Sequence, residues 1–139
     1  MTGLRFSNGW ERGVGITVLL PLAAGEPDPE RAKIVRHLKD ARQKIDGADY
    51  AGSFASSRKA LELLRKLGPF ALTGPTVPKE RDVNQRIRAV LDALYSLASA
   101  SPHFDAAVED FEPTRADAVA LVGATMSTAQ EVFARIEAR

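Results

Sequence analysis

The sequence predicts a mainly α protein, an antiparallel four-helix bundle preceded by a short β hairpin or strand. Three observations carry the prediction. Apolar residues recur at helical spacing in four separate stretches; three of those stretches open on a capping residue; and Gly or Pro stands in the connections between them. The chain divides accordingly into an arm and linker over 1–25 and a bundle over 26–139.

Residues 3–20 read as extended. Leu4 and Phe6 precede Asn8-Gly9, the dipeptide a type I′ hairpin turn prefers, and Val14, Ile16, Val18 and Leu20 then alternate. A lone two-stranded ribbon is marginal in water, so this arm is expected to lie on the helices, pair with another chain or belong to a larger β region. Trp10 is its expected anchor.

Helix one is predicted over about Pro29–Asp46, with Asp28 as N-cap, Pro29 in the first helical position and Glu30 at the positive end of the dipole. Its apolar face is Ile34, Leu38, Ala41 and Ile45, and Gly47 is the expected stop. Asp49 caps helix two, whose stripe of Tyr50, Phe54, Leu61, Leu64 and Leu67 runs to Gly68-Pro69. Residues 69–78, PFALTGPTVP, cannot continue a helix through three prolines and a glycine.

Helix three is predicted from about Pro78 to Ala100, with Val83, Ile87, Val90, Leu91, Leu94 and Leu97 as its core face and Ser101-Pro102 closing it. After an acidic connection with Phe104, Phe111 and Pro113, Thr114 and Asp117 form a capping box that opens helix four. That helix is expected to bury Ala118, Leu121, Val122, Thr125, Ala129, Val132, Phe133 and Ile136.

At 139 residues and 45% hydrophobic, the chain can bury a core without staples. With no Cys, disulfides, thiol nucleophiles and Cys-based metal sites are excluded; two histidines, His37 and His103, leave little for any other metal, and no cofactor is expected. The apolar run 14–24 is too short to span a bilayer, and Trp10, Glu11 and the Asn8-Gly9 turn do not suit a signal leader. The expectation is a cytoplasmic protein with no membrane partner.

The net charge of +1 conceals an asymmetry. Residues 1–30 carry 2 Lys and Arg against 4 Asp and Glu, residues 31–88 carry 14 against 6, and residues 89–139 carry 3 against 8. Such a division serves either the packing of a basic half on an acidic half or a binding surface. The surface reading names Arg58, Lys59, Arg65, Lys66, Lys79, Arg81, Arg86 and Arg88 as its cations, with RNA or an acidic protein as the partner.

Two resemblances follow from these residues. Gly47-Ala48-Asp49-Tyr50 and Ala60-Leu61-Glu62-Leu63 resemble the inter-helix turn and second-helix end of a tetratricopeptide unit, over about one repeat. More broadly, residues 29–139 resemble the HEPN superfamily (higher eukaryotes and prokaryotes nucleotide-binding domains). The resemblance lies in a first helix ending in Gly-Asp-Tyr-like residues, a second with Arg58, Leu61 and Glu62, a third leading to His103 and a last opened by Thr114-Arg-Ala-Asp117. It implies a bacterial, dimeric protein of a defence or toxin–antitoxin system. Active members carry an Arg four to six residues before a His, whereas here Ser96, Leu97, Ala98 and Ser99 stand before His103 and the nearest preceding arginine is Arg88. The implied relative is degenerate and non-catalytic.

His103 is the candidate catalytic residue, a general base at a bundle end, against the reading of a histidine that caps helix three. Arg58 and Glu62, one turn apart, form a structural pair or reach across the bundle. No phosphate-cradling Gly-rich loop and no aromatic–basic nucleic-acid surface on the strand is present. The sequence therefore favours a non-enzymatic helical interaction or dimerisation module. A metal-independent ribonuclease using His103 with Arg88 or Arg115, and a tetratricopeptide-like peptide-binding module, are the alternatives.

Overall fold

The computed structural model describes residues 28–100 and 110–138. They form four α-helices, α1 Pro29–Asp46, α2 Tyr50–Leu64, α3 Val83–Ala98 and α4 Arg115–Glu137, with 3₁₀ turns at Gly68–Ala71 and Pro78–Glu80. No strand occurs among the described residues. The hairpin expected over residues 3–20, the 1–25 arm and His103 all lie outside them.

Each helix start has a visible cause. Asp28 Oδ1 accepts from the main-chain N–H groups of Glu30 (3.0 Å) and Arg31 (3.4 Å), and Asp49 Oδ1 accepts from Gly52 N–H at 2.9 Å. Thr114 and Asp117 close the expected capping box, with Thr114 N–H donating to Asp117 Oδ2 at 2.9 Å and Asp117 N–H to Thr114 Oγ1 at 3.2 Å. A second box opens α3: Gln85 N–H donates to Asp82 Oδ1 at 2.8 Å and Asp82 N–H to Gln85 Oε1 at 2.9 Å. Helix three thus starts at Val83, five residues later than expected. Pro78–Glu80 makes only a 3₁₀ turn, after which Arg81 is extended.

The turn between α1 and α2 differs from the Gly47 stop. Gly47 keeps φ −88°, and Ala48 takes the left-handed conformation at φ 59°. Asp49 N–H donates to Lys44 C=O at 2.7 Å and Ala48 N–H to Ile45 C=O at 3.0 Å, the two bonds of a Schellman motif. Asp49 ends one helix and caps the next. Helix α2 stops at Leu64 and tightens into i→i+3 bonds, Lys66 N–H to Leu63 C=O and Leu67 N–H to Leu64 C=O, before Pro69 removes a donor.

Helices α2 and α4 each pack on all three others, while α1 and α3 each pack on α2 and α4. The core expected of helix one is fully formed, and Val35 joins it. On α2, Phe54, Leu61 and Leu64 are buried and Tyr50 and Leu67 pack on the core edge. Buried Ser53, Ser56, Ser57 and Ala60 also line α2, and these short side chains allow close approach of its main partner α1. The expected α4 face is buried as read, with Ile136 at its margin.

Helix α3 departs from expectation. Only Leu91 and Ala98 are buried along it, Ile87 and Leu94 are packed at the core edge, and Val83, Val90 and Leu97 are 53%, 47% and 45% exposed. Half of the face assigned to the core therefore looks outward. No helix of the described residues is long and apolar enough to cross a membrane.

Candidate interaction surface

The outward stripe of α3 is built by its helical register. Val83, Val90 and Leu97 stand outward, and with Ile87 and Leu94 at the core edge between them they follow one another at intervals of four, three, four and three residues, the alternation of a coiled-coil seam. Leu91 and Ala98 sit about 100° further round and supply the contact with the bundle. The neighbouring exposed positions Ala93 and Ser96 are short. Arg88 and Asp92, the charged residues of this helix beyond Arg86, are half-buried on its α2-facing side, so no charge interrupts the outward face from Val90 to Leu97.

The preceding connection exposes apolar side chains of its own. Leu72 is 73% exposed and Val77 41%, and with the three α3 residues they are the large hydrophobic side chains that stand exposed among the described residues. Phe70, close by, is fully buried and holds the connection to the domain. An apolar patch gathered in one segment, rather than scattered singly, marks a contact surface.

Beside this patch lies the basic cluster read from sequence. Arg88 Nε donates to Asp92 Oδ1 at 2.9 Å, and Arg88 Nη1 donates to the main-chain carbonyls of Arg65 (3.1 Å) and Phe70 (2.8 Å). Arg65 Nε stands 2.9 Å from the same Asp92 oxygen, and its guanidinium lies over the Tyr95 ring, 4.2 Å from the centroid. Arg58 lies over that ring at 5.1 Å and donates from Nε to Ser99 Oγ at 3.0 Å, while Ser99 Oγ donates to Tyr95 C=O at 2.9 Å. One carboxylate and one aromatic ring thus gather three arginines at the α2–α3 seam.

The other basic candidates divide between fold and solvent. Arg81 donates to the carbonyls of Pro75 and Thr76, and Arg86 donates to that of Arg81 at 3.0 Å. Lys59 on α2, Lys66 just after it and Lys79 in the connection are exposed. Arg81, Arg86 and Arg88 therefore fasten main-chain oxygens of a Pro/Gly-rich connection that has little helical bonding of its own. Glu62 is exposed, and the contacts described for Arg58 run across to Ser99 and Tyr95 of α3.

Residues suited to catalysis do not converge among the described residues. His37 is half-buried on α1, and its pKa is lowered, first by burial and then by the positive charge of Lys59. Asp40, three residues on, is held below its usual range chiefly by the hydroxyl of Ser56, which donates to Oδ2 at 2.5 Å. No group of three His, Asp or Glu side chains among the described residues is placed to hold a metal ion. An open depression lined by Pro69, Asn84, Arg135 and Ala138 offers one polar contact, Arg135 Nη1 to Asn84 Oδ1 at 3.4 Å.

The exposed stripe was hidden in the sequence because periodicity counts apolar positions without saying which neighbour covers them. The available signal was the 4-3-4-3 spacing, which exceeds what a helix touching a bundle along one narrow line requires. The chain matches no family model, no curated protein and no solved structure.

Proposed function

We propose that this chain is a non-enzymatic helical interaction module, an antiparallel four-helix bundle that docks a protein partner through the outward apolar face of α3. The observation that carries the reading is the exposure of Val83, Val90 and Leu97 on one line of a helix whose opposite side is already packed. A partner that fits is an amphipathic helix laying its apolar side along this stripe, with anchors at i, i+7 and i+14.

Support for the antiparallel arrangement comes from contacts at the two ends. Arg31, in the first turn of α1, pairs with Glu137 at the end of α4, and Arg135 near that end reaches Asn84 in the first turn of α3. At the other end Phe111, just before α4, lies 5.8 Å from Phe54 in the first half of α2, and Arg58 reaches Ser99 after α3. Helices joined this way alternate in direction.

In this reading the basic cluster serves to hold α3 in place. Arg65, Arg88 and Asp92 tie α3 to α2, and Arg88 satisfies the orphan carbonyl of Arg65 at the end of α2, where a positive charge also suits the dipole. A rigid helix presents its outer face with little ordering cost on binding.

The test is fluorescence of an apolar surface dye on the folded chain, compared with a Val83→Ser/Val90→Ser/Leu97→Ser variant. In solution dilute enough that copies do not associate, the reading requires dye binding by wild type, lost in the variant while far-UV circular dichroism is unchanged. A wild type that binds no dye, or a variant that binds as much, contradicts it. Cleavage of labelled RNA in the presence of chelator, abolished by His103→Ala, would instead establish an enzyme.

A further inference from the structure

We infer that the partner of α3 is α3 of a second copy of this chain, packed antiparallel about a two-fold axis at Val90; the inference rests on the docking role of this helix. The register is what selects a second copy. Val83 and Leu97 lie seven residues either side of Val90, and Ile87 and Ala93 three residues either side. Reversing the helix about Val90 therefore sets Val83 against the other copy's Leu97, Ile87 against its Ala93, Leu94 against the aliphatic stem of its Arg86 and Val90 against its own mate. Such an isologous contact needs a patch that is its own complement.

Charge points the same way. The one charge on the outward side of α3 is Arg86, four residues from Val90, so an antiparallel pair separates the two Arg86 side chains by about 12 Å along the axis, at the 1.5 Å rise of a helix. That is beyond the screening length of about 8 Å at physiological salt. A parallel pair would bring the two arginines side by side. Antiparallel pairing also carries Lys79, Arg81 and Arg86 of one copy toward the end of the other that holds exposed Asp110 and Glu112.

The remaining features suit a helix pair. Ala93, beside the line, lets the two axes approach within the 8–10 Å or so usual for packed helices. One helix face is a small interface by the standard of roughly 800 Å² per partner. The dimer is accordingly reversible.

The chain has no Cys, so each introduced thiol is unique. The experiment is oxidative cross-linking of full-length Val90→Cys, Val83→Cys, Leu97→Cys and the exposed-face control Glu62→Cys. Sedimentation equilibrium of wild type from about 1 to about 200 µM accompanies it. A disulfide requires Cβ atoms roughly 4 Å apart. Val90→Cys is expected to cross-link to itself far more than Glu62→Cys does. Val83→Cys, about 21 Å from its own mate by the same rise, is expected to cross-link efficiently only when mixed with Leu97→Cys. Wild type is expected to shift from 15.0 kDa toward twice that mass with concentration.

A wild type that stays monomeric, self-linking of Val83→Cys above the mixed pair, or Val90→Cys no more reactive than Glu62→Cys each overturns the inference. A monomer that still binds the apolar dye through Val83, Val90 and Leu97 leaves the docking role of α3 intact with a different partner. A monomer that binds none removes both.

Discussion

Arg88 Nη1 donates to the carbonyl oxygen of Phe70 at 2.8 Å, joining the middle of α3 to the buried anchor of the connection that leads into it. The same nitrogen reaches Arg65 C=O, and Nε of the same guanidinium reaches Asp92. A planar fork with donors in several directions satisfies all three at once.

Lysine cannot reproduce that geometry, having a single nitrogen on a flexible stem. Arg88→Lys is expected to destabilise the chain by about 2 kcal/mol, the scale of leaving partly buried acceptors without donors. Arg88→Ala is expected to cost at least as much. Urea denaturation of the three proteins checks this, and a lysine variant as stable as wild type would contradict it.

Ala48 carries strain that glycine would remove. Its φ of 59° costs an L-residue roughly 1–2 kcal/mol, part of which returns as the greater unfolded-state freedom of glycine. Ala48→Gly is expected to stabilise by about 0.5–1 kcal/mol, raising Tm by a few degrees. Gly47→Ala is expected to be near neutral, because an added Cβ would meet only the carbonyls of Gln43 and Lys44 at 3.8 and 3.9 Å and the φ is negative. Thermal unfolding of both variants distinguishes the two positions.

The histidine on α1 makes stability depend on pH in a set direction. Burial, with Lys59, Arg36 and Lys33 beside it and Asp40 opposing, lowers the His37 pKa in the fold, so the unfolded chain takes up the proton first. The contribution is fully present above the ordinary histidine value of about 6.5 and is lost as pH falls from there through the lowered folded value. His37→Gln is expected to flatten the fall in stability as pH drops below about 6.5. Asp40, whose folded pKa is also lowered, loses its contribution in a separate and more acidic window. Denaturant midpoints measured across pH check the slope; an unchanged slope in the variant would contradict it.

Much of the fold was legible in the residues because local chemistry dictates it. Asp28, Asp49 and Thr114 cap the helices they were expected to cap, and the α1 and α4 apolar faces are buried as read. Two features escaped for different reasons. Asp82 and Gln85 box the start of α3, but Pro78 four residues earlier offers the same helix-start signal, and sequence alone does not rank them. Val83, Val90 and Leu97 share the hydrophobic character of Leu91, and only packing, which depends on helices distant in sequence, decides which line turns inward.

The basic segment shows a similar limit. Its excess charge was visible, but a guanidinium that binds RNA and one that binds a loop carbonyl look alike in a sequence. The bonds of Arg81, Arg86 and Arg88 to main-chain oxygens needed the path of the connection. The turn at Ala48 was obscured because glycine at position 47 is the residue a helix stop prefers.

The measurement that tests the central claim most directly is the unfolding free energy of the Val83→Ser/Val90→Ser/Leu97→Ser variant against wild type, both in dilute solution where association is negligible. A free docking face predicts a loss within about 1.5 kcal/mol, the sum expected of three surface substitutions, and a cooperative transition of unchanged slope. A loss of about 4 kcal/mol or more, the scale of emptying core positions, would mean that the chain itself covers this face and would contradict the account.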